Sequence, residues 1–433
     1  MPTKTQIVLR TLQTYESRNI LFTEPDGSWP IVWERAQGNY VWDIEGRKYL
    51  DLTAAFGVAA AGHANPRVVK AGQKQMGKLL HAMGDVHPHP LKAALAQKLS
   101  DITFGRWKKS AQGKTIFCNS GFEAVETALK TAHLATGKPG IIAFQGAYHG
   151  VGYGALNATH RKHFHGPFRK QLKSFGHFVS FPKTYDDLKS IEQQIRALFK
   201  KQKIGALLLE PMQARGGINL PPESFLKLLR RLCDEHQALL ILDEIYTGFG
   251  RTGQWFACEH SGVMPDLICL GKALTGGFPL SACVGSAAVM DKAWPPSNGE
   301  AIHTSTFLGH PVGCAMALAQ IDELQKKKLP ERSRKLGLVL EKLLKTLKPP
   351  TGLKFEVRVS GLMAGLEIRT QDNQPATHTV LKTINRLLQR GFILLPEGEF
   401  ADVISLTPPL TITEAGLRRT VKALGECLTE VTK

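Results

Sequence analysis

Two charged residues end two short apolar runs in the middle of the chain. Leu239–Asp243 is apolar up to its final carboxylate, and Leu267–Leu270 is followed after one glycine by Lys272. Short apolar runs without polar alternation are typical of strands that are buried on both faces of a sheet. In parallel α/β sheets, ligands bind at the carboxyl ends of the strands. The sequence therefore predicts that Asp243 and Lys272, 29 residues apart, lie at a ligand-binding edge.

Two interpretations account for this pair of residues. Asp243 and Lys272 could form a structural ion pair, because buried charges are usually paired. Alternatively, Lys272 could form a Schiff base with the aldehyde of pyridoxal phosphate. A carboxylate beside the pyridine nitrogen would then keep that nitrogen protonated, so that the ring accepts electrons. The residues alone leave both interpretations open.

The segment DEIYTGFGRTG (243–253), followed by DLICLGKALTGG (266–277), resembles the signature of class III aminotransferases. These enzymes form the ω-aminotransferase branch of the pyridoxal-phosphate-dependent transferases of fold type I. The resemblance implies an α/β fold with a large cofactor-binding domain over 66–325, built on a mostly parallel seven-stranded sheet. It also implies a small α+β domain that combines 1–65 with 326–433.

The resemblance further implies a ping-pong transamination. An amino group would move from an amine, ω-amino acid or amino acid to a 2-keto acid. Lys272 would carry pyridoxal 5'-phosphate covalently as the internal aldimine and then transfer protons, while Asp243 would protonate the pyridine nitrogen. No metal is expected. A racemase, aminomutase or decarboxylase of the same fold is the alternative, because these enzymes use the same lysine and aspartate.

A second motif offers a phosphate site. In CNSGFEA, Ser120 and Glu123 have the spacing of a helix capping box, and a helix N-terminus is also suited to bind phosphate. The resemblance implies that Ser120 and Gly121 bind the cofactor phosphate, together with Thr306 from the neighbouring subunit. The enzyme would then be a homodimer with shared active sites. Alternatively, Ser305 and Thr306 only cap the helix that follows them.

Further residues are expected around the cofactor ring. Tyr148, in the glycine-flanked GAYHG, can stack on a pyridine ring, and His149 would support the same loop. Glu210 follows the apolar run 204–209, and Pro211 after it cannot continue a strand ladder. The resemblance implies that Glu210 and Gln213 of EPMQ support Asp243 and contact the ring oxygen.

Substrate recognition departs from the family pattern. Many relatives that act on amino acids carry an arginine just before Pro-Pro-Leu, where this chain has Ser405. Relatives with two carboxylate substrates often carry a glutamate where this chain has Arg215. We therefore predict that Arg215 binds the substrate carboxylate; alternatively, it points to solvent or across a dimer. Phe56 is predicted to line the site entrance, unless Phe56 and Val58 are core residues.

Composition limits the remaining possibilities. The 433 residues include 55 Lys and Arg against 37 Asp and Glu, a formal charge of +18. Nucleic-acid binding is disfavoured, because no RNA-binding signature or zinc finger accompanies the charge. Apolar runs stay below the roughly 18 residues of a membrane span, and the first residues lack the apolar core of a signal peptide. Seven scattered cysteines without a CxxC pattern indicate reduced thiols, so a cytoplasmic protein is expected.

Overall fold

The computed structural model describes residues 2–24 and 26–433. Its first strands form the antiparallel meander that the alternating pattern of 29–52 predicts. The helix that follows begins at Pro66, with Asn65 as its cap, because the Asn65 side chain accepts a hydrogen bond from the Arg67 N–H at 3.1 Å. The strands are β1 (Trp33–Gln37), β2 (Tyr40–Asp43) and β3 (Lys48–Asp51).

A larger sheet positions the candidate site. Among the described residues it has seven strands in the order β4-β10-β9-β8-β7-β5-β6, and β10 is antiparallel to both neighbours. This arrangement confirms the predicted mostly parallel seven-stranded sheet. Its strands are β4 (Gly113–Cys118), β5 (Gly140–Phe144), β6 (Gly176–Val179), β7 (Ile204–Leu209), β8 (Leu239–Asp243), β9 (Leu267–Leu270) and β10 (Ser281–Ser286).

The C-terminal part contributes a third sheet in the order β11-β12-β15-β14 and one strand, β13, that pairs in parallel with β3. The apolar run 392–395 predicts a single strand. Instead, Phe392 pairs with Leu50 and Leu395 pairs with Ser405, so the segment passes from one sheet to another. The strands are β11 (Leu353–Ser360), β12 (Met363–Thr370), β13 (Phe392–Ile393), β14 (Leu395–Glu397) and β15 (Val403–Leu406).

Helices cover the sheets and supply most of the remaining core. The sequence predicts a helix over 222–236. The helix in the structure begins at Phe225, after a turn in which the Phe225 N–H donates to the Pro222 carbonyl. The described residues include three 3-10 turns, at Gly166–Phe168, Ala257–His260 and Lys272–Leu274. The helices span Lys4–Tyr15, Pro66–Met76, Pro90–Ile102, Phe104–Trp107, Gly121–Thr136, Tyr153–Leu156, Lys162–His165, Asp187–Lys201, Phe225–His236, Ala287–Ala293, Pro311–Lys326, Leu329–Lys345, Thr377–Gln389 and Glu414–Val431.

One turn has an unusual backbone. Ala54, Ala55, Phe56 and Gly57 are consecutive residues with φ of +47°, +48°, +60° and +82°. For residues other than glycine, this left-handed conformation costs roughly 1–2 kcal/mol each, so the turn needs support from its surroundings.

All seven cysteines are unbonded and buried. Within the described part of the chain, none of the helices combines the length and the apolar composition needed to cross a bilayer.

Candidate active site

The carboxyl edge of the seven-stranded sheet brings Asp243 and Lys272 to one cavity. Strand β8 ends at Asp243, which pairs with Cys269 of the adjacent parallel strand β9, and Lys272 begins the 3-10 turn that follows β9. The cavity has a volume of about 250 Å³. Its lining residues are Gly121, Phe122, Tyr148, His149, Gly150, Val151, Glu210, Ala214, Arg215, Asp243, Ile245, Tyr246 and Lys272.

Asp243 is buried and held by two hydrogen bonds. Its Oδ2 lies 2.7 Å from Nδ1 of His149, and its Oδ1 accepts from the Ile245 N–H at 3.1 Å. An ionised carboxylate can only accept, so the Nδ1–H of His149 is the donor. The described Asp243 and Lys272 side chains form no ion pair within 4.0 Å of each other. A structural ion pair between them therefore does not explain why both are present.

Lys272 is placed as an amine that can lose its proton. Burial lowers the pKa of Lys272 below its ordinary value, against the opposing effect of the Asp243 and Glu210 carboxylates. Its Nζ lies 4.5 Å from the ring centroid of Tyr246. A lower pKa increases the fraction of neutral amine, which is the nucleophilic form that attacks an aldehyde.

The N-terminus of the helix Gly121–Thr136 borders the same cavity. Ser120 and Glu123 occupy the capping-box positions, and Glu123 Oε2 accepts from the N–H groups of Asn119 and Ser120 at 2.7 and 2.9 Å. The Ser120 Oγ is buried without a hydrogen-bond partner among the described residues; Ser120 itself is not among those that line the cavity, but the adjacent Gly121 is. Gly121 packs closely against Ile245, because a Cβ at position 121 would lie only 3.1 Å from Ile245 Cδ1. An open helix N-terminus with an unpaired hydroxyl fits a phosphate group.

Glu210 supports the aromatic wall of the cavity. Its Oε1 accepts from the Tyr148 N–H and its Oε2 from the Ala214 N–H, both at 3.0 Å. Burial raises the pKa of Glu210 above its ordinary value. Glu210 therefore fixes the backbone of the loop that carries Tyr148, while the Tyr148 ring packs edge-on against Phe164 at 5.2 Å between centroids.

Gln213, which was predicted to contact the cofactor, forms hydrogen bonds with neighbouring loop residues. Its Nε2 donates to the Gln145 carbonyl at 2.7 Å, and its Oε1 accepts from Asn219 Nδ2 at 3.0 Å. It is not among the described residues that line the cavity. Both the N–H donor and the oxygen acceptor of the Gln213 amide are therefore engaged in hydrogen bonds to neighbouring loops.

Arg215 lines the cavity, as expected of a substrate-binding residue. Its guanidinium carbon lies 4.8 Å from the Tyr148 ring centroid and its Nε lies 4.0 Å from Glu397 Oε2. Burial raises the pKa of Glu397 to about 7, although the charges of Arg215, Arg161 and Lys272 oppose that change. Glu397 was not predicted as a site residue from the sequence. In the sequence, Glu397 stands out only as an acidic residue after the apolar run 392–395. Its position beside Arg215 depends on packing between distant segments.

Two predicted residues, Phe56 and Thr306, are not among the described residues that line the cavity. Phe56 is 54% exposed, which excludes the core role considered for it. Thr306 is exposed as well, and the helix that follows it is capped by His310, whose side chain accepts from the Val312 N–H. The alternative that Ser305 and Thr306 cap this helix is therefore wrong.

The residues around the cavity fit pyridoxal phosphate. The unpaired Ser120 hydroxyl and the Gly121 helix end suit its phosphate, the buried Asp243 suits its pyridinium nitrogen, and the Lys272 amine suits its aldehyde. When bound, this cofactor supplies an electron-accepting ring that stabilises negative charge on the substrate carbon.

Comparisons with known proteins identify the family. The model of the family "Aminotransferase class-III" matches residues 22–428. The chain is 37% identical to the 5-aminovalerate aminotransferase DavT of Pseudomonas aeruginosa, over 93% of this chain and 94% of that protein. It is also 37% identical to the putrescine aminotransferase of Pectobacterium atrosepticum, over 92% of this chain and 82% of that protein.

A solved structure gives the same result for the fold. The PLP-bound amine transaminase from an uncultivated Pseudomonas species superimposes with a TM-score of 0.86 at 29% identity, covering 96% of this chain and 98% of that one. The relatives named above are aminotransferases rather than racemases, aminomutases or decarboxylases. The chain therefore belongs to the class III aminotransferase family and is a pyridoxal-phosphate-dependent aminotransferase of fold type I.

Proposed function

We propose that Lys272 is the lysine that binds the cofactor and transfers protons in the transamination, and that Asp243 keeps the pyridine nitrogen protonated. The observation that carries this proposal is the convergence of Lys272, the Asp243–His149 pair and the Gly121 helix end on one cavity. The His149 hydrogen bond holds the Asp243 carboxylate in one orientation. The lowered pKa of Lys272 suits a group that alternately accepts and gives up a proton.

We propose that Tyr148 packs on the cofactor ring and that Ser120 and Gly121 bind its phosphate. Tyr148 lines the cavity and its backbone N–H is fixed by Glu210. The Ser120 hydroxyl has no competing partner among the described residues.

We further propose that Arg215 selects donors that carry a carboxylate. Arg215 lines the cavity together with Tyr148 and Lys272, and a guanidinium can hold a carboxylate through two parallel hydrogen bonds. The similar proteins named above include an enzyme for 5-aminovalerate, which has a carboxylate, and one for putrescine, which has none. If Arg215 binds the donor carboxylate, this chain should prefer donors of the first type.

A matched pair of donors tests the role of Arg215. 5-Aminovalerate and pentylamine present the same primary amine, and only the first ends in a carboxylate. For Arg215→Gln we expect kcat/KM to fall about ten- to a hundredfold with 5-aminovalerate, because a hydrogen bond to a charged group contributes roughly 1.5–3 kcal/mol. Pentylamine should change less than about twofold. Exposed Arg169, changed to Gln, is the control. Equal losses with both donors would show that Arg215 does not recognise the carboxylate.

We propose that the enzyme is a homodimer in which Thr306 of one subunit reaches the phosphate of the other. Within the chain, Asn119 Nδ2 donates to Ser305 Oγ at 3.3 Å, whereas the next residue, Thr306, is exposed and is not among the described residues that line this chain's own cavity, so its side chain is accessible to a second subunit. His81 packs on Phe307 at 5.4 Å between ring centroids, and both of the segments that this contact joins carry exposed apolar side chains. Such a patch on a single chain is typical of an interface. The patch consists of Met76, Leu79, Leu80, Met83, Val86, Ile302 and Phe307.

Complementation between inactive variants tests the shared site. Lys272→Ala removes the lysine, and Thr306→Ala weakens phosphate binding when cofactor is limiting. If sites are shared, a mixed dimer has one site with both changes and one intact site, so mixing the two proteins should restore activity. Mixtures that stay as inactive as their components would contradict a shared site, and a monomer in analytical ultracentrifugation would contradict the dimer.

The division into domains is also proposed. The segment 66–325 contains the whole seven-stranded sheet, and the pairing of β13 with β3 joins the two chain ends in one sheet. This pairing supports a small domain built from 1–65 and 326–433.

A further inference from the structure

The left-handed turn Ala54–Gly57 lies beside the catalytic lysine. The turn contacts the 3-10 turn that begins at Lys272. Lys272 itself has a φ of +41°, which is also in the left-handed region. Two segments of unfavourable backbone therefore meet next to the cavity. Such conformations persist only where neighbouring groups hold them in place.

Asp51 is the group that holds the turn. It is fully buried at the end of β3. Its Oδ1 accepts from the N–H and the hydroxyl of Thr53, at 2.8 and 2.6 Å. Its Oδ2 accepts from the Ala55 N–H at 3.1 Å and lies 2.7 Å from Nε2 of His63. One carboxylate thus joins the residue before the turn, the middle of the turn and the segment after it.

Two routes lead from the turn to Tyr246. Gly57 lies against the Tyr246 ring, since a Cβ at Gly57 would be 3.2 Å from Tyr246 Cε1. The Thr407 hydroxyl donates to the Thr53 carbonyl at 3.3 Å and lies 3.0 Å from the Tyr246 hydroxyl. Because the Thr407 proton is used on Thr53, the Tyr246 hydroxyl is the donor to Thr407. The Tyr246 ring in turn lies 4.5 Å from Lys272 Nζ.

We propose that Asp51 is a positioning residue for the transamination: it holds the left-handed turn, and through Gly57 and the Thr53–Thr407–Tyr246 hydrogen bonds it fixes the Tyr246 ring beside Lys272. This inference rests on the role of Lys272 proposed above. Loss of the Asp51 carboxylate would let the turn relax toward ordinary backbone angles. The Tyr246 ring would then shift relative to Lys272, and the environment of the lysine amine would change.

The test uses Asp51→Asn and Thr407→Val in the cofactor-loaded enzyme, with Asp101→Asn, an exposed helix position, as the control. Three quantities are measured: the thermal midpoint, kcat and KM, and the pH titration of the visible absorption of lysine-bound cofactor. We expect both variants to lower kcat about ten- to a hundredfold with little change in KM, as for a misplaced catalytic group. The pKa read from the absorption titration should shift by about 0.5 or more.

A rescue variant separates positioning from general stability. Ala55→Gly removes the penalty for a left-handed residue, because glycine adopts positive φ readily. Added to Asp51→Asn, it should recover much of the lost kcat and return the absorption titration toward that of the unchanged enzyme.

Several outcomes would overturn the proposal. If Asp51→Asn lowers the thermal midpoint but kcat and the titration stay unchanged, Asp51 is only structural. If Asp51→Asn does not fold, Thr407→Val decides, and an unchanged titration in that variant overturns the proposal. If the unchanged enzyme shows no absorption from lysine-bound cofactor, the assignment of Lys272 fails instead, which distinguishes the two.

Discussion

Replacing Glu397 with glutamine should change how the stability of the protein depends on pH. Glu397 is only 7% exposed, and burial raises its pKa from 4.5 to about 7. Between these values the unfolded chain has released the proton that the folded chain still holds. The contribution of Glu397 to the free energy of unfolding is therefore fully present below pH 4.5 and is lost as the pH rises to about 7.

The size of this effect follows from the same pKa. A difference of one pKa unit corresponds to about 1.36 kcal/mol, so the full change amounts to about 3 kcal/mol. Most of it, about 2–3 kcal/mol, falls between pH 5 and pH 8. Glutamine cannot ionise, so the stability of Glu397→Gln should not contain this pH-dependent contribution. Between pH 5 and pH 8, the unchanged protein should therefore lose about 2–3 kcal/mol more stability than Glu397→Gln.

Equilibrium urea unfolding at pH 5 and pH 8, at one protein concentration and without added cofactor, measures the difference. Exposed Glu399, changed to Gln, is the matched control two residues away. The change in the free energy of unfolding between pH 5 and pH 8 is then compared between the unchanged protein and Glu397→Gln, and this comparison cancels the pH effects of all other groups. A difference below about 0.5 kcal/mol, within the usual effect of a surface substitution, would show that Glu397 ionises as an exposed acid does and would refute the reasoning.

Two further predictions concern the cofactor. Ser120→Ala should weaken the binding of pyridoxal phosphate about tenfold, because the hydroxyl has no other partner among the described residues. A fluorescence titration of the cofactor-free protein measures the dissociation constant. An unchanged dissociation constant would contradict the phosphate site. Asp243→Asn should lower kcat about a hundredfold or more while the protein stays folded, because an amide cannot keep the pyridine nitrogen protonated. Turnover of Asp243→Asn within tenfold of normal, measured at saturating donor and acceptor, would argue against that role for Asp243.

The strands that position the site could be predicted from the sequence. β7, β8 and β9 have the expected bounds, because each is an uninterrupted apolar run that ends at a charged residue or a glycine. Asp243 and Lys272 follow from those bounds, since the register of adjacent strands brings their ends together. Local sequence also predicted that a helix starts near Asn65-Pro66, because proline suits the first helical turn, and the helix begins at Pro66.

What the sequence did not reveal depends on contacts between distant segments. Glu397 lies near Arg215 because the Gly398 N–H donates to the Arg215 carbonyl across 183 positions of the chain. The left-handed backbone at Ala54–Phe56 contradicts the preference of these residues and is maintained by Asp51 and His63. The separation of β13 from β14 has the same origin, because the choice of partner strand is made by tertiary packing.

The most direct test of the central claim is to locate the cofactor on the chain. Borohydride reduction fixes lysine-bound pyridoxal phosphate irreversibly, and peptide mass spectrometry then identifies the modified lysine. We expect the label on Lys272 in the unchanged enzyme, and loss of that label together with loss of turnover in Lys272→Ala. A label on another lysine, or an unlabelled enzyme that still transfers amino groups, would contradict the assignment of this cavity as the active site.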